Sequence, residues 1–490
     1  MAAAPFDAVA LLARLGMTPR RVTSDSRRVD AGDAFAAWPG SRVDGRAFIP
    51  DAIARGAGAV LWESRDYRWN PDWTVANAGV ERLAAKLGYI ANVVYGSPSR
   101  ELWMVGITGT NGKTTTSQWI AQALDGAGRR CGVIGTLGIG LVGALEPAPN
   151  TTPDAAVLHE TLAGFRASGA RAASVEVSSI GLDQGRVNGA TFDVAVFTNL
   201  TRDHLDYHGT MSAYGAAKER LFSWPGLACS VINADDPFGQ RLIDEVRGRG
   251  GRAMSYGLAN AEVAAIGVAM GPRGLSLNVS TPWGRGAVET GVVGAFNVSN
   301  LLATLGALLA SDVELDPALE ALARLTPPPG RMERHGGGDR PLAVVDYAHT
   351  PDALEKVLMA LRPAVAPGRE LVCVFGCGGD RDPGKRQVMG RIAGELADRV
   401  VVTSDNPRFE DPAAIAGAVT KGVVESGRRR WLVELDRAAA IAAAVNAAKR
   451  GDVVLVAGKG HEATQEIAGE RRPYSDARAV DDALAAWGGA

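Results

Sequence analysis

Short apolar runs closed by glycine or polar clusters, each followed by apolar positions at helical spacing, recur along most of this chain. The pattern predicts strands over 102–107, 131–136, 173–177, 193–199 and 229–233, with helices over 114–127, 154–168 and 212–223 between them. Alternation of strand and helix in this manner predicts a parallel sheet. Residues 261–293 instead show short alternating runs with glycine turns, which predicts an antiparallel addition at the sheet edge, and a helix is expected over 297–310. Beyond the stiff run Thr326-Pro327-Pro328-Pro329-Gly330-Arg331 the alternation resumes, with strands over 342–347, 370–375, 399–403, 431–434 and 453–457. The first part of the chain has a short apolar run over 34–38, helical spacing over 49–58 and a strand over 58–62, and its pattern breaks near Tyr95-Gly96-Ser97-Pro98. These readings give an α/β protein of three domains. They are a small N-terminal α/β domain over 1–97, a central parallel sheet with an antiparallel addition over 98–331, and a Rossmann-like, doubly wound domain over 332–490.

The length of 490 residues agrees with about three domains. A net charge of -2 gives no electrostatic footprint for nucleic acid or an anionic membrane, so anionic ligands have to be met by local arginines and backbone amides. No stretch is long and apolar enough to cross a bilayer, and residues 1–15 lack the basic start of a secretory leader. The four cysteines, Cys131, Cys229, Cys373 and Cys377, are irregularly spaced and read as core thiols in a reducing compartment. A cytoplasmic monomer is expected.

The candidate chemistry centres on Gly109-Thr110-Asn111-Gly112-Lys113-Thr114-Thr115, between a predicted strand and a predicted helix. Glycines there let backbone N–H groups turn to a polyphosphate, the helix start adds its positive dipole end, Lys113 reaches the terminal phosphates, and the Thr114 hydroxyl can ligate Mg²⁺. Ile107 stands where the general phosphate-loop pattern has its first glycine, which leaves the shorter form Gly-x-x-Gly-Lys-Thr. Glu176 ends a strand; it is either simply exposed there or the metal carboxylate of a Mg·ATP site, and the neighbouring loop favours the second reading. The run from Asn199 to His208 carries two His and two Asp but not at zinc spacing. Lys218, on a helix among charged residues, reads from the residues alone as a solvated lysine. Four polar clusters close strands of the last domain: 346–350, 378–382, 405–408 and 458–462. The strand ends of an open α/β sheet are where such folds bind ligands.

The phosphate loop, Glu176-Val177-Ser178-Ser179, the run 199–208, Gly294-Ala295-Phe296-Asn297-Val298-Ser299-Asn300, Gly330-Arg331-Met332-Glu333 and Asp346-Tyr347-Ala348-His349-Thr350-Pro351 occur in an order that resembles the Mur ligases. These are the ATP-dependent enzymes that build the peptide of bacterial peptidoglycan. Ser24-Asp25-Ser26-Arg27, the run 376–382, Asp405-Asn406-Pro407-Arg408 and 458–462 resemble the members that add the third residue, and the Asp-Asn-Pro-Arg form goes with meso-diaminopimelate. The resemblance implies that Gly109, Thr110, Asn111, Gly112, Lys113, Thr114 and Thr115 grip the ATP phosphates, with Asn297, Asn300 and Arg331 towards the adenosine and Asp346 at the domain junction. It implies one Mg²⁺ on Thr114 and Glu176 and a second on His204 and Lys218, the lysine being carbamylated. Ser24, Ser26 and the loop Ser41-Arg42-Val43 would meet UDP; Asn150, Thr151, Thr152, Ser178, Gln184 and Arg186 would hold the muramoyl dipeptide of UDP-MurNAc-L-Ala-D-Glu. Arg408, with Arg381, Asp405, Asn406, Pro407, Gly458 and Glu462, would receive diaminopimelate. Domain closure about hinges near Ser97 and Arg331 is expected. A folylpolyglutamate synthase would share the phosphate loop without explaining Ser24 to Arg27 or Asp405 to Arg408, and a nucleotide-driven switch would form no covalent product.

Overall fold

The computed structural model describes residues 6–40, 43–271 and 274–488. In the N-terminal domain β1 (Val22–Thr23), β2 (Ala34–Ala37), β3 (Ala59–Glu63) and β4 (Ala76–Val80) pair in parallel, in sequential order. The central domain holds β5 (Trp103–Thr108), β6 (Cys131–Gly135), β7 (Gly138–Leu141), β8 (Ala144–Glu146), β9 (Ala172–Glu176) and β10 (Val194–Phe197). These are followed by β11 (Cys229–Asn233), β12 (Ala253–Gly257), β13 (Val263–Gly271), β14 (Gly274–Thr281) and β15 (Gly284–Thr290). The eleven strands lie in the order β15-β14-β13-β12-β11-β10-β5-β9-β6-β7-β8. β5 is parallel to both its neighbours, β9 and β10. The chain leaves β5 towards β6 on one side and later fills β10 on the other, so the end of β5 is a topological switch point. The antiparallel addition expected over 261–293 needs correction at its start, because β13 joins β12 in parallel; antiparallel pairs β6–β7 and β7–β8 occupy the opposite edge.

The C-terminal domain contains β16 (Glu333–Gly336), β17 (Leu342–Asp346), β18 (Leu371–Phe375), β19 (Arg399–Val402), β20 (Trp431–Val433) and β21 (Val453–Ala457), ordered β16-β17-β21-β18-β19-β20. Only β16 runs antiparallel to its neighbour. A small antiparallel hairpin, β22 (Thr464–Ile467) with β23 (Glu470–Pro473), follows. Successive residues of one strand enter two different cores: Cys373 and Phe375 pack with Leu354 and Met389, while Val372 and Val374 pack with Ile441 and Val480. Burial on both faces is why these strands read as unbroken apolar runs. The chain forms two compact units, one of Met1–Ala264 with Thr281–Gly284 and Leu302–Ala321, the other of Ala265–Ser280 with Arg285–Leu301 and Leu322–Ala490.

In the first unit the helix Ala155–Ala167 places Leu158, Leu162 and Phe165 in the core of the central sheet and Ala155 and Ala156 in that of the N-terminal sheet. Asp236 does a comparable job next to the phosphate loop. Its Oδ1 accepts from the N–H groups of Phe238 and Gly239 at 2.8 and 3.2 Å, capping the helix Pro237–Gly248, and its Oδ2 accepts from the Leu200 N–H at 2.9 Å, pinning the chain just after β10. Asp236→Ala removes the cap and that tie, and is expected to lower stability by about 1–2 kcal/mol in equilibrium denaturation.

Candidate active site

The segment after β5 is held from below by the segment after β10. The Thr110 N–H donates to the Asn199 carbonyl (2.8 Å), the Asn111 N–H to Asn199 Oδ1 (3.0 Å), and the Thr198 hydroxyl to the Asn111 carbonyl (2.6 Å). Gly109 has φ +151°, and a Cβ there would stand 1.8 Å from Thr198 Oγ1, so only glycine lets the loop lie this close to its support. The helix Lys113–Gly126 then starts with Thr114 and Thr115 buried in its first turn. Lys113 Nζ folds over the loop and donates to the Gly109 and Thr110 carbonyls, both at 2.9 Å. Strand, glycine turn, helix start and lysine therefore form one anion-binding cradle.

Glu176 ends β9 beside Ile107 and is fully buried. Its Oε2 accepts from the hydroxyls of Thr114 (3.0 Å) and Thr136 (3.1 Å), and its Oε1 accepts from the Thr136 N–H (2.9 Å). This oxygen set suits a hard cation. Among the described residues no three His, Cys, Asp or Glu side chains gather to cage a metal. Mg²⁺ needs no such cage, since it keeps waters and takes phosphate oxygens beside one or two protein ligands. The residues present fit it.

Lys218 corrects the solvated-surface reading. On the helix Met211–Glu219 it is 1% exposed, its Nζ donates to the Gly109 carbonyl at 2.7 Å, and it lies 4.4 Å over the Tyr214 ring. Burial, helped by the positive charge of Lys113 and opposed by Asp203, pushes its pKa well below the lysine range. That favours the neutral amine, the form that reacts with CO₂. His204 sits at φ +52°, a left-handed backbone uncommon for a side chain of its size, with Nε2 3.5 Å from Asp203 Oδ2. Its pKa is lowered by burial, with Lys113 and Lys218 acting in the same direction and Asp203 against it.

The dipeptide candidates form a hydrogen-bonded group next to this cradle. Thr151 Oγ1 lies 3.0 Å from Thr136 Oγ1, while the Thr152 hydroxyl donates to the Glu176 carbonyl at 2.8 Å and accepts from the Ser178 N–H at 3.0 Å. Arg186 donates to the Thr152 carbonyl (2.7 Å) and twice to Gln184 Oε1 (3.0 and 2.8 Å). Asn150 is exposed. In the N-terminal domain Ser24 donates to Asp154 Oδ2 at 3.4 Å, Ser26 is buried and Val43 is exposed; Ser41 and Arg42 lie outside the described residues.

In the second unit, the four polar clusters follow β17, β18, β19 and β21, all parallel and contiguous in the sheet. Asp346 is buried and accepts from the N–H groups of Met332 and Ala348, both at 2.8 Å. Burial raises its pKa, with Arg331 opposing. The Arg331 guanidinium lies 4.4 Å over the Tyr347 ring, which in turn sits 5.3 Å from the His461 ring. Asn297 donates to the Val293 carbonyl (2.7 Å) and Asn300 to Asn297 Oδ1 (2.9 Å).

After β19, Asp405 is buried against Gly458, where a Cβ would approach its Oδ2 to 2.7 Å and φ is +117°. Asn406 donates to Glu462 Oε2 (2.8 Å), and fully buried Lys459 donates to Glu462 Oε2 (2.8 Å) and Asn406 Oδ1 (2.9 Å). Arg408 follows Pro407 with φ +54°; its Nη1 donates to the Gly379 carbonyl at 2.6 Å and its Nε lies 3.8 Å from Glu466 Oε2. Arg381 is exposed. Sequence reasoning missed Thr136 and Tyr214 as site residues; Tyr347, Lys459 and His461 lie in the clusters 346–350 and 458–462, but the sequence assigns them no role of their own. Lys459 had a visible signal, its place between Gly458 and Gly460 after an apolar run.

A phosphate cradle at a sheet switch point and a second unit with polar groups gathered at its strand ends define the architecture of a phosphate-loop ligase. Residues 20–95 match the "Mur ligase family, catalytic domain", 107–308 the "Mur ligase middle domain" and 330–460 the "Mur ligase, glutamate ligase domain". The chain belongs to the Mur ligase family. It is 52% identical to the UDP-N-acetylmuramoyl-L-alanyl-D-glutamate–2,6-diaminopimelate ligase of Chromobacterium violaceum over 480 residues, 98% of this chain and 97% of the relative. It is also 52% identical to the ligase of that name from Pseudomonas aeruginosa, over 96% of this chain and 95% of the relative. A solved structure of a ligase of that name matches with a TM-score of 0.70 and 37% identity, covering 96% of this chain and 95% of the other.

Proposed function

We propose that the chain joins an amine of meso-2,6-diaminopimelate to the γ-carboxylate of D-Glu in UDP-MurNAc-L-Ala-D-Glu, with conversion of ATP to ADP and phosphate, in cytoplasmic peptidoglycan precursor synthesis. The observation that carries this reading is 52% identity to ligases of that name across all three matched regions.

A carboxylate has no leaving group. Its oxygen attacks the ATP γ-phosphorus, ADP leaves, and an acyl phosphate results; the amine then attacks the acyl carbon, a tetrahedral intermediate forms, and phosphate departs with loss of the amine proton. Two anions must meet in the first step. Lys113 and the loop N–H groups stabilise the charge on the transferring phosphoryl group, and Arg186, with Thr152 and Ser178, orients the acceptor carboxylate. Thr114 and Glu176 would hold one Mg²⁺, and His204 with Lys218, once carbamylated, a second; Mg²⁺, when bound, offsets the opposing negative charges. Arg331 and Tyr347 offer a flat, cationic surface to a purine, with Asn297 and Asn300 as hydrogen-bonding groups and Asp346 setting the backbone of Met332 and Ala348 beside them. The domain boundaries near residues 97 and 331 would act as the hinges.

The assay is direct. Incubation with ATP, UDP-MurNAc-L-Ala-D-Glu and diaminopimelate should give an amide product of the corresponding mass, and ATP hydrolysis without that product would refute the reading.

Diaminopimelate differs from lysine by a second carboxylate, which Arg408 can meet through two parallel hydrogen bonds. Its left-handed backbone and the Gly379 contact hold the guanidinium in place before substrate arrives. In competition at equal concentrations the native chain should use diaminopimelate over L-lysine, and Arg408→Ala should cut that preference about 10- to 100-fold, the worth of hydrogen bonds to a charged group. A predominant lysine product from the native chain would overturn the specificity assignment.

A further inference from the structure

We propose that Arg437, paired with Asp476, is the positioning residue that sets the spacing of the two loops assigned to the amino acid, 405–408 and 458–462, a role that rests on the diaminopimelate reading above. Both side chains are wholly buried, and they meet through two hydrogen bonds of 2.7 Å, Arg437 Nε to Asp476 Oδ1 and Nη2 to Oδ2. Two further N–H groups of the same guanidinium turn to the main chain: Nη1 donates to the Ser404 carbonyl at 3.2 Å and Nη2 to the Ala457 carbonyl at 2.9 Å. Ser404 immediately precedes Asp405, and Ala457 immediately precedes Gly458. One buried cation therefore holds the start of both loops.

The sheet alone does not fix this spacing. β19 and β21 are not neighbours, since β18 lies between them, and their residues paired with β18 end at Val402 and Ala457. Ser404 lies past that ladder. A second tie between the loops runs from Lys459 Nζ to Asn406 Oδ1 and Glu462 Oε2. Asn406 and Glu462 are themselves assigned to the amino acid, so their hydrogen bonds are open to exchange when it binds. The Arg437 tie holds main-chain oxygens, which the amino acid does not replace.

Stability gives no reason for an ion pair at this place. The helices Arg437–Asn446 and Asp476–Ala486 put Ile441 and Val480 into one apolar core with Val401, Val454 and Val456. A buried pair in such surroundings is commonly matched or bettered by apolar residues of like volume. A cation in the first turn of a helix also opposes the helix dipole. What apolar residues cannot supply is a planar, forked donor that reaches a carboxylate and two carbonyls of separate segments at once.

Arg437→Met combined with Asp476→Leu removes the pair without leaving a buried charge. The double variant should fold with a denaturation midpoint near that of the native chain, yet its KM for diaminopimelate should rise about 10- to 100-fold, as a small misplacement of binding groups allows. Its KM values for ATP and UDP-MurNAc-L-Ala-D-Glu should stay unchanged, kcat should change less, and its preference for diaminopimelate over L-lysine should fall. Lost packing alone would instead lower the midpoint and affect all three substrates. If the double variant fails to fold, Arg437→Lys decides: it keeps a charge beside Asp476 but has no planar fork, and should show the same rise confined to diaminopimelate. A native chain that forms no diaminopimelate amide would overturn the assigned reaction and this role with it. With that product formed, an unchanged KM for diaminopimelate in the variant that folds, or KM values for all three substrates rising together, would overturn the role of Arg437 alone.

Discussion

Replacing Lys113 with alanine is expected to lower the rate of amide formation by about 10³-fold or more, equivalent to ~4 kcal/mol of transition-state stabilisation. The ammonium at the start of the helix is a mobile charge on a rigid support, now shared between the Gly109 and Thr110 carbonyls. The Gly109 carbonyl keeps the Lys218 Nζ donor at 2.7 Å when Lys113 is removed, so the lysine's departure is expected to cost the fold little. The attacking carboxylate and the γ-phosphate, by contrast, have no replacement for a full positive charge. A single-turnover assay for acyl-phosphate formation separates the effects: the first step should fall, while the denaturation midpoint stays close to that of the native chain. Turnover at the native rate would show that the loop does not handle the γ-phosphate.

The second large effect is expected at Lys218. A solvated lysine can be replaced within about ±0.5 kcal/mol of stability and without change in rate. This one is 1% exposed, with its nitrogen on a backbone carbonyl and no carboxylate ion pair among the described residues. A buried ammonium so placed is costly, and its removal should not harm folding. Addition of CO₂ to the neutral amine would give a carbamate and release one proton, placing an anionic oxygen ligand there whose charge would offset Lys113. Lys218→Ala is therefore expected to fold, to lose activity by about 10³-fold, and to regain part of it with a small added carboxylic acid. The mass of the intact native chain in bicarbonate buffer should exceed that in CO₂-free buffer by one CO₂. Full activity in Lys218→Ala would remove the residue from the site.

Strands β11 and β21 coincide with the runs predicted over 229–233 and 453–457, because burial on both faces leaves an uninterrupted apolar signal. β4 was not legible: Ala-Asn-Ala-Gly-Val lacks the β-branched density of a strand, and its alternate residues are exposed. β16, Glu-Arg-His-Gly, carries no apolar signal, and it is a strand through its pairing with β17. The phosphate loop was readable because its spacing is set by backbone geometry. The burial of Lys218 was not, because it depends on Gly109, far away in sequence, reaching across the helix Met211–Glu219. The same limit hid Thr136, whose partner Glu176 is brought to it only by the sheet.

The position of β5 between β9 and β10 has a bearing on synthesis of the protein. On the ribosome the glycine loop emerges early, directly after β5, yet both strands that flank it in the sheet are still to be translated. The carboxylate of Glu176 arrives with β9, and the groups that prop the loop, Thr198 and Asn199, arrive after β10. Until then the nascent segment has the motif without the groups that prop it in the folded chain, so the cradle can form only once β9 and β10 are made.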